Sequence, residues 1–124
     1  MYRKMNSNEK EWISKILDAE FKGKEILSIQ VSKAIVSYEQ DYTFLSLKFK
    51  LEGKVDKYPY KVRVPVEMRA FQEQSAPIVF LLHVIDGVVN ELEVISADSS
   101  KLEVDKIKLE KLEYEVDKDV QIGD

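Results

Sequence analysis

Ile78-Val79-Phe80-Leu81-Leu82-His83-Val84-Ile85-Asp86-Gly87-Val88-Val89-Asn90-Glu91-Leu92-Glu93-Val94-Ile95 is the stretch that decides the fold. Asp86-Gly87 is the dipeptide favoured at the centre of a two-residue type I′ turn, and it is flanked by runs rich in Val, Ile and Leu. Ile78 to Ile85 is apolar on both faces and is expected to be the most buried strand, with Val88 to Ile95 returning against it. Pairing outward from the turn sets Ile85 against Val88, His83 against Asn90, Leu81 against Leu92 and Val79 against Val94 on one face. The other face then holds Val84 against Val89, Leu82 against Glu91, Phe80 against Glu93 and Ile78 against Ile95. In this register Glu91 and Glu93 lie side by side, away from His83 and next to Phe80 and Leu82.

Toward the N-terminus, Trp12, Ile13, Ile16, Leu17 and Phe21 recur at helical spacing, which predicts a helix over Ser7 to Phe21. Asn6 and Glu9 have the spacing of a capping box, and Gly23 supplies a stop. Lys24 to Tyr38 reads as a short helix followed by a strand. Leu45, Leu47, Phe49 and Leu51 alternate with Phe44, Ser46, Lys48 and Lys50, a half-buried strand ended by Gly53. Tyr58, Tyr60, Val62, Val64, Val66 and Met68 alternate with Pro59, Lys61, Arg63, Pro65, Glu67 and Arg69. That pattern predicts one long strand, and its two prolines place it at a sheet edge.

On the C-terminal side, Leu102, Val104, Ile107 and Leu109 change phase before Leu112, Tyr114 and Val116. A bulge or turn near Glu110 and Lys111 followed by a last strand accounts for the shift, and a helix through Leu102, Leu109, Leu112 and Val116 is the competing reading. The expected architecture is α+β: an N-terminal helix packed on a mostly antiparallel sheet of five or six strands, in a single domain covering residues 1–124. Trp12, Ile16 and Leu17 are expected to touch Leu81, Leu92 or Val94.

The chain has 124 residues, 44% apolar and 34% charged, with no cysteine and one histidine. That length holds one core, and disulfides and thiolate chemistry are excluded. The N-terminus is basic but lacks the apolar run of a secretory signal, and Ala76 to Ile85 is too short to cross a bilayer. A cytoplasmic location is the expectation. Net charge is −4, unevenly spread: Met1 to Ser75 carries 14 Lys/Arg and 11 Asp/Glu, whereas Ala76 to Asp124 carries 5 and 12. The acidic C-terminal part disfavours nucleic acid and favours a basic partner, though acidic residues also simply solvate exposed strands.

No phosphate loop, dinucleotide fingerprint, HExxH or GxSxG motif is present. In the predicted register His83 faces an amide, so a structural histidine is expected; it is a single ligand, so no metal site is. Glu91 and Glu93 have the residue types of an acid and base pair, but exposed carboxylates on a strand are the commoner case. Lys48, Lys50, Lys61, Arg63 and Arg69 interleave with Tyr58 and Tyr60 as in a single-stranded nucleic-acid platform. The strand reading puts those tyrosines on the face opposite Lys61 and Arg63, which favours core packing.

The hairpin Leu82-His83-Val84-Ile85-Asp86-Gly87 with Glu91-Leu92-Glu93 and the following Ala97-Asp98-Ser99 resembles a family of short bacterial proteins of mostly unassigned function, as does the helix opening at Asn6 to Lys10. Many members carry cysteines before the second strand, where this chain has Tyr38 to Tyr42. Such proteins are often found beside secreted polymorphic toxins, where small proteins act as immunity factors. The resemblance implies a non-enzymatic binding protein that needs no cofactor and blocks a cognate toxin domain, and the acidic C-terminal part suits a basic one. Its candidate contacts are Glu91 and Glu93, with Phe80 as an apolar anchor, and then Asp98, Glu113 and Glu115. An enzyme or ligand-binding protein with a pocket not visible in sequence, and a housekeeping structural subunit, are the alternatives.

Overall fold

The computed structural model describes residues 1–123. Helix α1 spans Ser7–Ile16 and α2 spans Lys24–Ser32; strands follow at Ala34–Gln40 (β1), Phe44–Leu51 (β2), Val66–Ala70 (β3), Ile78–Ile85 (β4), Val88–Ser96 (β5) and Leu112–Val116 (β6). The six strands form one sheet in the order β1-β2-β5-β4-β3-β6, and every neighbouring pair is antiparallel. This is the α+β architecture read from the sequence, with a second helix beside the N-terminal one. Among the described residues no helix is long and apolar enough to cross a membrane.

The capping box forms as its spacing predicts: the Asn6 side chain accepts from the Glu9 N–H at 2.9 Å, and Glu9 Oε1 accepts from the Asn6 N–H at 2.9 Å. Helix α1 ends at Ile16, a turn and a half short of Phe21. Gly23 is not its stop; with φ +78° it is the residue that starts α2. A side chain there would need a strained backbone, and its Cβ would lie 2.7 Å from the Tyr58 ring.

One side of the sheet carries the core. Val36, Leu45, Leu47, Phe49, Met68, Phe80, Leu82, Leu92 and Val94 are buried there with Trp12, Ile16, Leu27 and Val31 of the helices. Trp12 meets Phe80 at 6.0 Å between ring centroids. Leu81, expected to touch the helix, points to the other side of the sheet, as its alternation with buried Phe80 and Leu82 requires.

The segment expected as one strand from Tyr58 to Arg69 divides. Only Val66–Ala70 is a strand, and it lies inside the sheet between β4 and β6, not at an edge. Pro59 and Pro65 both precede it, where neither has to supply a ladder N–H. At the C-terminus the phase shift marks a bend before β6, which is a strand and not a helix.

Candidate functional site

Both helices pack on the core side, so among the described residues no helix covers the opposite face of the sheet. Its composition follows from the register. One row across five strands reads Phe44, Ile95, Val79, Arg69, Glu113 from β2 to β6. The next reads Ser46, Glu93, Leu81, Glu67, Glu115, and a third, shorter row reads Lys48, Glu91, His83. Phe44, Ile95, Val79 and Leu81 therefore form a contiguous half-buried apolar patch over three central strands. Charged side chains surround it.

This placement corrects the hairpin register. Ile85 pairs with Val88 and Val84 with Val89, as expected, and Asp86 and Gly87 take φ 53° and 79° at the turn. Between His83 and Val84 the register then slips by one, so that His83 pairs with Glu91, not with Asn90, and Leu82 pairs with Leu92. Asn90 is the extra residue of a β-bulge. Everything beyond it on β5 exchanges faces relative to the predicted pairing. The driving force is burial: the slip sets Leu92 and Val94 against Leu82 and Phe80 in the core, where the regular register would have driven Glu91 and Glu93 into it.

Glu91 and Glu93 consequently share a face with His83. Both lean across the ladder diagonally, in opposite senses. Glu93 Oε1 lies 3.0 Å from His83 Nε2, and Glu91 Oε2 accepts from the Ser46 hydroxyl at 2.5 Å. Arg63 Nε donates to His83 Nδ1 at 3.2 Å, which makes Nδ1 the acceptor and leaves Nε2–H to donate to Glu93. His83 is thus largely buried, its side chain 15% exposed, and it does meet a carboxylate. Both ring nitrogens are occupied, by Arg63 and Glu93, and the Ser46 hydroxyl bonds to Glu91, so His83 is not hydrogen-bonded to a hydroxyl. Among the described residues no three His, Asp or Glu side chains stand close enough to hold a metal ion.

The remaining sequence candidates separate into two groups. Glu113 and Glu115 project from β6 onto this same face, about 14 Å from Glu93 across three strand spacings. There they flank Arg69, which pairs with Glu67 at 3.0 Å and with Glu115 at 3.5 Å. Phe80 is not a partner contact: it is fully buried against Trp12 on the core side. Asp98 lies in the turn after β5, where its carboxylate accepts from the Ser96 hydroxyl and the Ser100 N–H, both at 3.0 Å. Hydrogen bonds from Ser100 and Ser96 hold it below the usual carboxylate range. It shapes the turn.

Sequence reasoning missed the apolar centre of the face, Phe44, Val79, Leu81 and Ile95, because the hairpin looked buried on both sides. One signal was readable: buried Val89, Leu92 and Val94 are spaced by three and then two, which no unbulged strand allows on one face. Comparison of the chain with protein-family models, with curated proteins and with solved structures found no match.

Proposed function

We propose that this chain is a binding protein, an immunity factor that neutralises a cognate bacterial toxin by laying the uncovered face of its sheet on a basic toxin domain. The observation that carries the reading is the arrangement on that face, an apolar patch of Phe44, Val79, Leu81 and Ile95 bordered by Glu67, Glu91, Glu93, Glu113 and Glu115. An apolar centre within a charged rim is the anatomy of protein interfaces, and rim carboxylates steer a basic partner toward it. The flanking cations Lys48 and Arg69 leave carboxylates in the majority. The likeness of the hairpin to proteins found beside toxins supports the same reading, and the cytoplasm is where such a protein meets its toxin.

The test is co-expression with the toxin encoded next to the gene for this chain. Cells survive with the native protein, and a purified complex forms. Leu81→Arg, on the patch between Glu93 and Glu67, abolishes protection while leaving the melting transition in place. The Glu91→Lys/Glu93→Lys variant associates about tenfold more slowly, with less dependence on salt. If no toxin gene stands there, or cells die as readily with the protein as without it, the reading is wrong.

A further inference from the structure

The chain between β2 and β3 has no regular structure, yet it is held at several points. Gln30 Nε2 donates to the Asp56 carbonyl at 2.8 Å, the Tyr58 N–H to the Gly87 carbonyl at 2.8 Å, and the Tyr58 hydroxyl to the Lys22 carbonyl at 2.6 Å. The Val84 N–H donates to the Arg63 carbonyl at 2.7 Å. Between this fixed segment and the tip of the β4–β5 hairpin lies a cleft of about 590 Å³, whose lining includes Lys57, Tyr60, Lys61, Arg63, Ile85 and Asp86. That volume is within the range of small-molecule sites.

The strand reading separated Tyr60 from Lys61 and Arg63 by face. With no strand here, that separation disappears, and all three border one cleft. Lys54, Lys57, Lys61 and Arg63 stand within ten residues against a single carboxylate, Asp56, in a chain whose net charge is −4. Lys57 and Lys61 make no ion pair among the described residues. Arg63 spends its Nε on His83 and keeps its two terminal amino groups for another acceptor. Tyr60 is 36% exposed and rests edge-to-face on buried Tyr58, with ring centroids 5.3 Å apart. Cations and an aromatic ring are thus offered together on a fixed frame.

We propose that this cleft binds a free mononucleotide, its phosphate held by Lys57, Lys61 and Arg63 and its base stacked on Tyr60. A free nucleotide fits better than a nucleic-acid strand because the surroundings turn acidic. Asp86 lines the cleft itself, and Arg63 leads through His83 directly to Glu93. Flanking phosphates of a polymer would meet those carboxylates. The site is separate from the toxin reading and stands or falls independently of it.

The experiment is an NMR titration of the labelled protein with adenosine monophosphate, inorganic phosphate and a single-stranded oligothymidylate in turn. Adenosine monophosphate shifts amides of Lys57 to Arg63 and Ile85 to Gly87, and binds about tenfold more tightly than phosphate, the weight of one base stacked on an aromatic ring. Tyr60→Ala removes that advantage, and Lys57→Ala/Lys61→Ala removes binding of both ligands. All three side chains are exposed enough for these variants to fold, which their amide spectra check directly. Absence of shifts with adenosine monophosphate, equal affinity for phosphate alone, or tighter binding of the oligonucleotide each overturns the proposal.

Discussion

Glu9 is fully buried at the start of α1 and is held by two parallel bonds from Arg3, at 2.8 and 2.7 Å, in addition to the capping bond from the Asn6 N–H. Burial pushes its carboxyl up, but the Arg3 guanidinium and the Asn6 N–H together outweigh that and hold it below its ordinary 4.5. A carboxylate depressed in the folded state stabilises the fold above its unfolded pKa, and that contribution is lost as the pH falls through the folded value. Acid unfolding should therefore steepen below about pH 4.5 in the native protein and flatten in Glu9→Gln, measured by urea denaturation across that range. The capping box was legible from Asn6 and Glu9 alone, whereas the role of Arg3 depends on the path of the N-terminal segment, which bonds to Val36 through both of the Arg3 backbone groups. Gln30 is a second buried polar tie: it donates to the Asp56 and Gly87 carbonyls at 2.8 and 2.9 Å and accepts from the Val89 N–H at 2.8 Å. Gln30→Leu leaves the Asp56 carbonyl and the Val89 N–H without a partner, while the Gly87 carbonyl keeps the Tyr58 N–H, and should cost about 2 kcal/mol in equilibrium unfolding, since each orphaned buried group carries its desolvation penalty. A loss below about 0.5 kcal/mol would show that water replaces the amide there.

At the level of elements, the hairpin shows how far periodicity carries a reading. Asp86-Gly87 fixed the turn and the first two pairs, because turn chemistry is local. The remaining pairs depend on the bulge at Asn90, which is selected by the burial of Leu92 and Val94 across the whole sheet. The same limit applies to residues 58–69, whose alternation is genuine at the buried Tyr58, Val62, Val66 and Met68 but belongs to a strand only after Pro65. Four of the six acidic or apolar site candidates lie on the open face, while Phe80 was misplaced by the register and Asp98 serves a turn. The bulge gives a sharp expectation. Removing Asn90 restores a regular two-residue hairpin with His83 still opposite Glu91, so this deletion should retain a cooperative transition and lose no more than about 2 kcal/mol. Deleting Val79 from β4 instead turns Ile78 out of the core and should abolish the transition. If both deletions unfold the chain alike, Asn90 is not the supernumerary residue.

The whole molecule is a two-layer structure with one bare sheet face and two unequal edges, and its hydrogen bonds predict which amides exchange. At β6 the Phe71 N–H reaches the Lys111 carbonyl and the Asp117 N–H reaches the Pro65 carbonyl, so odd-numbered residues there bond to β3. Leu112, Tyr114 and Val116 then direct their N–H groups outward, where no strand follows. On β1 the same parity argument turns Ala34, Val36, Tyr38 and Gln40 outward, and Val36 alone among them is taken up, by the Arg3 carbonyl at 2.7 Å. Near the hairpin tip the pairing with β2 and β3 has ended, yet Val84 and Val89 donate to the Arg63 carbonyl and to Gln30. Hydrogen exchange should accordingly find Val36, Val84 and Val89 as slow as amides inside the ladder, and Tyr38, Leu112 and Tyr114 fast. The proposed toxin binding through the open face would leave those edge amides fast, because the partner would then cover side chains of Val79, Leu81 and Ile95 and not a strand edge. Slowing confined to Leu112 and Tyr114 in the complex would instead mean that the partner adds a strand to β6, and the proposed face would be the wrong one.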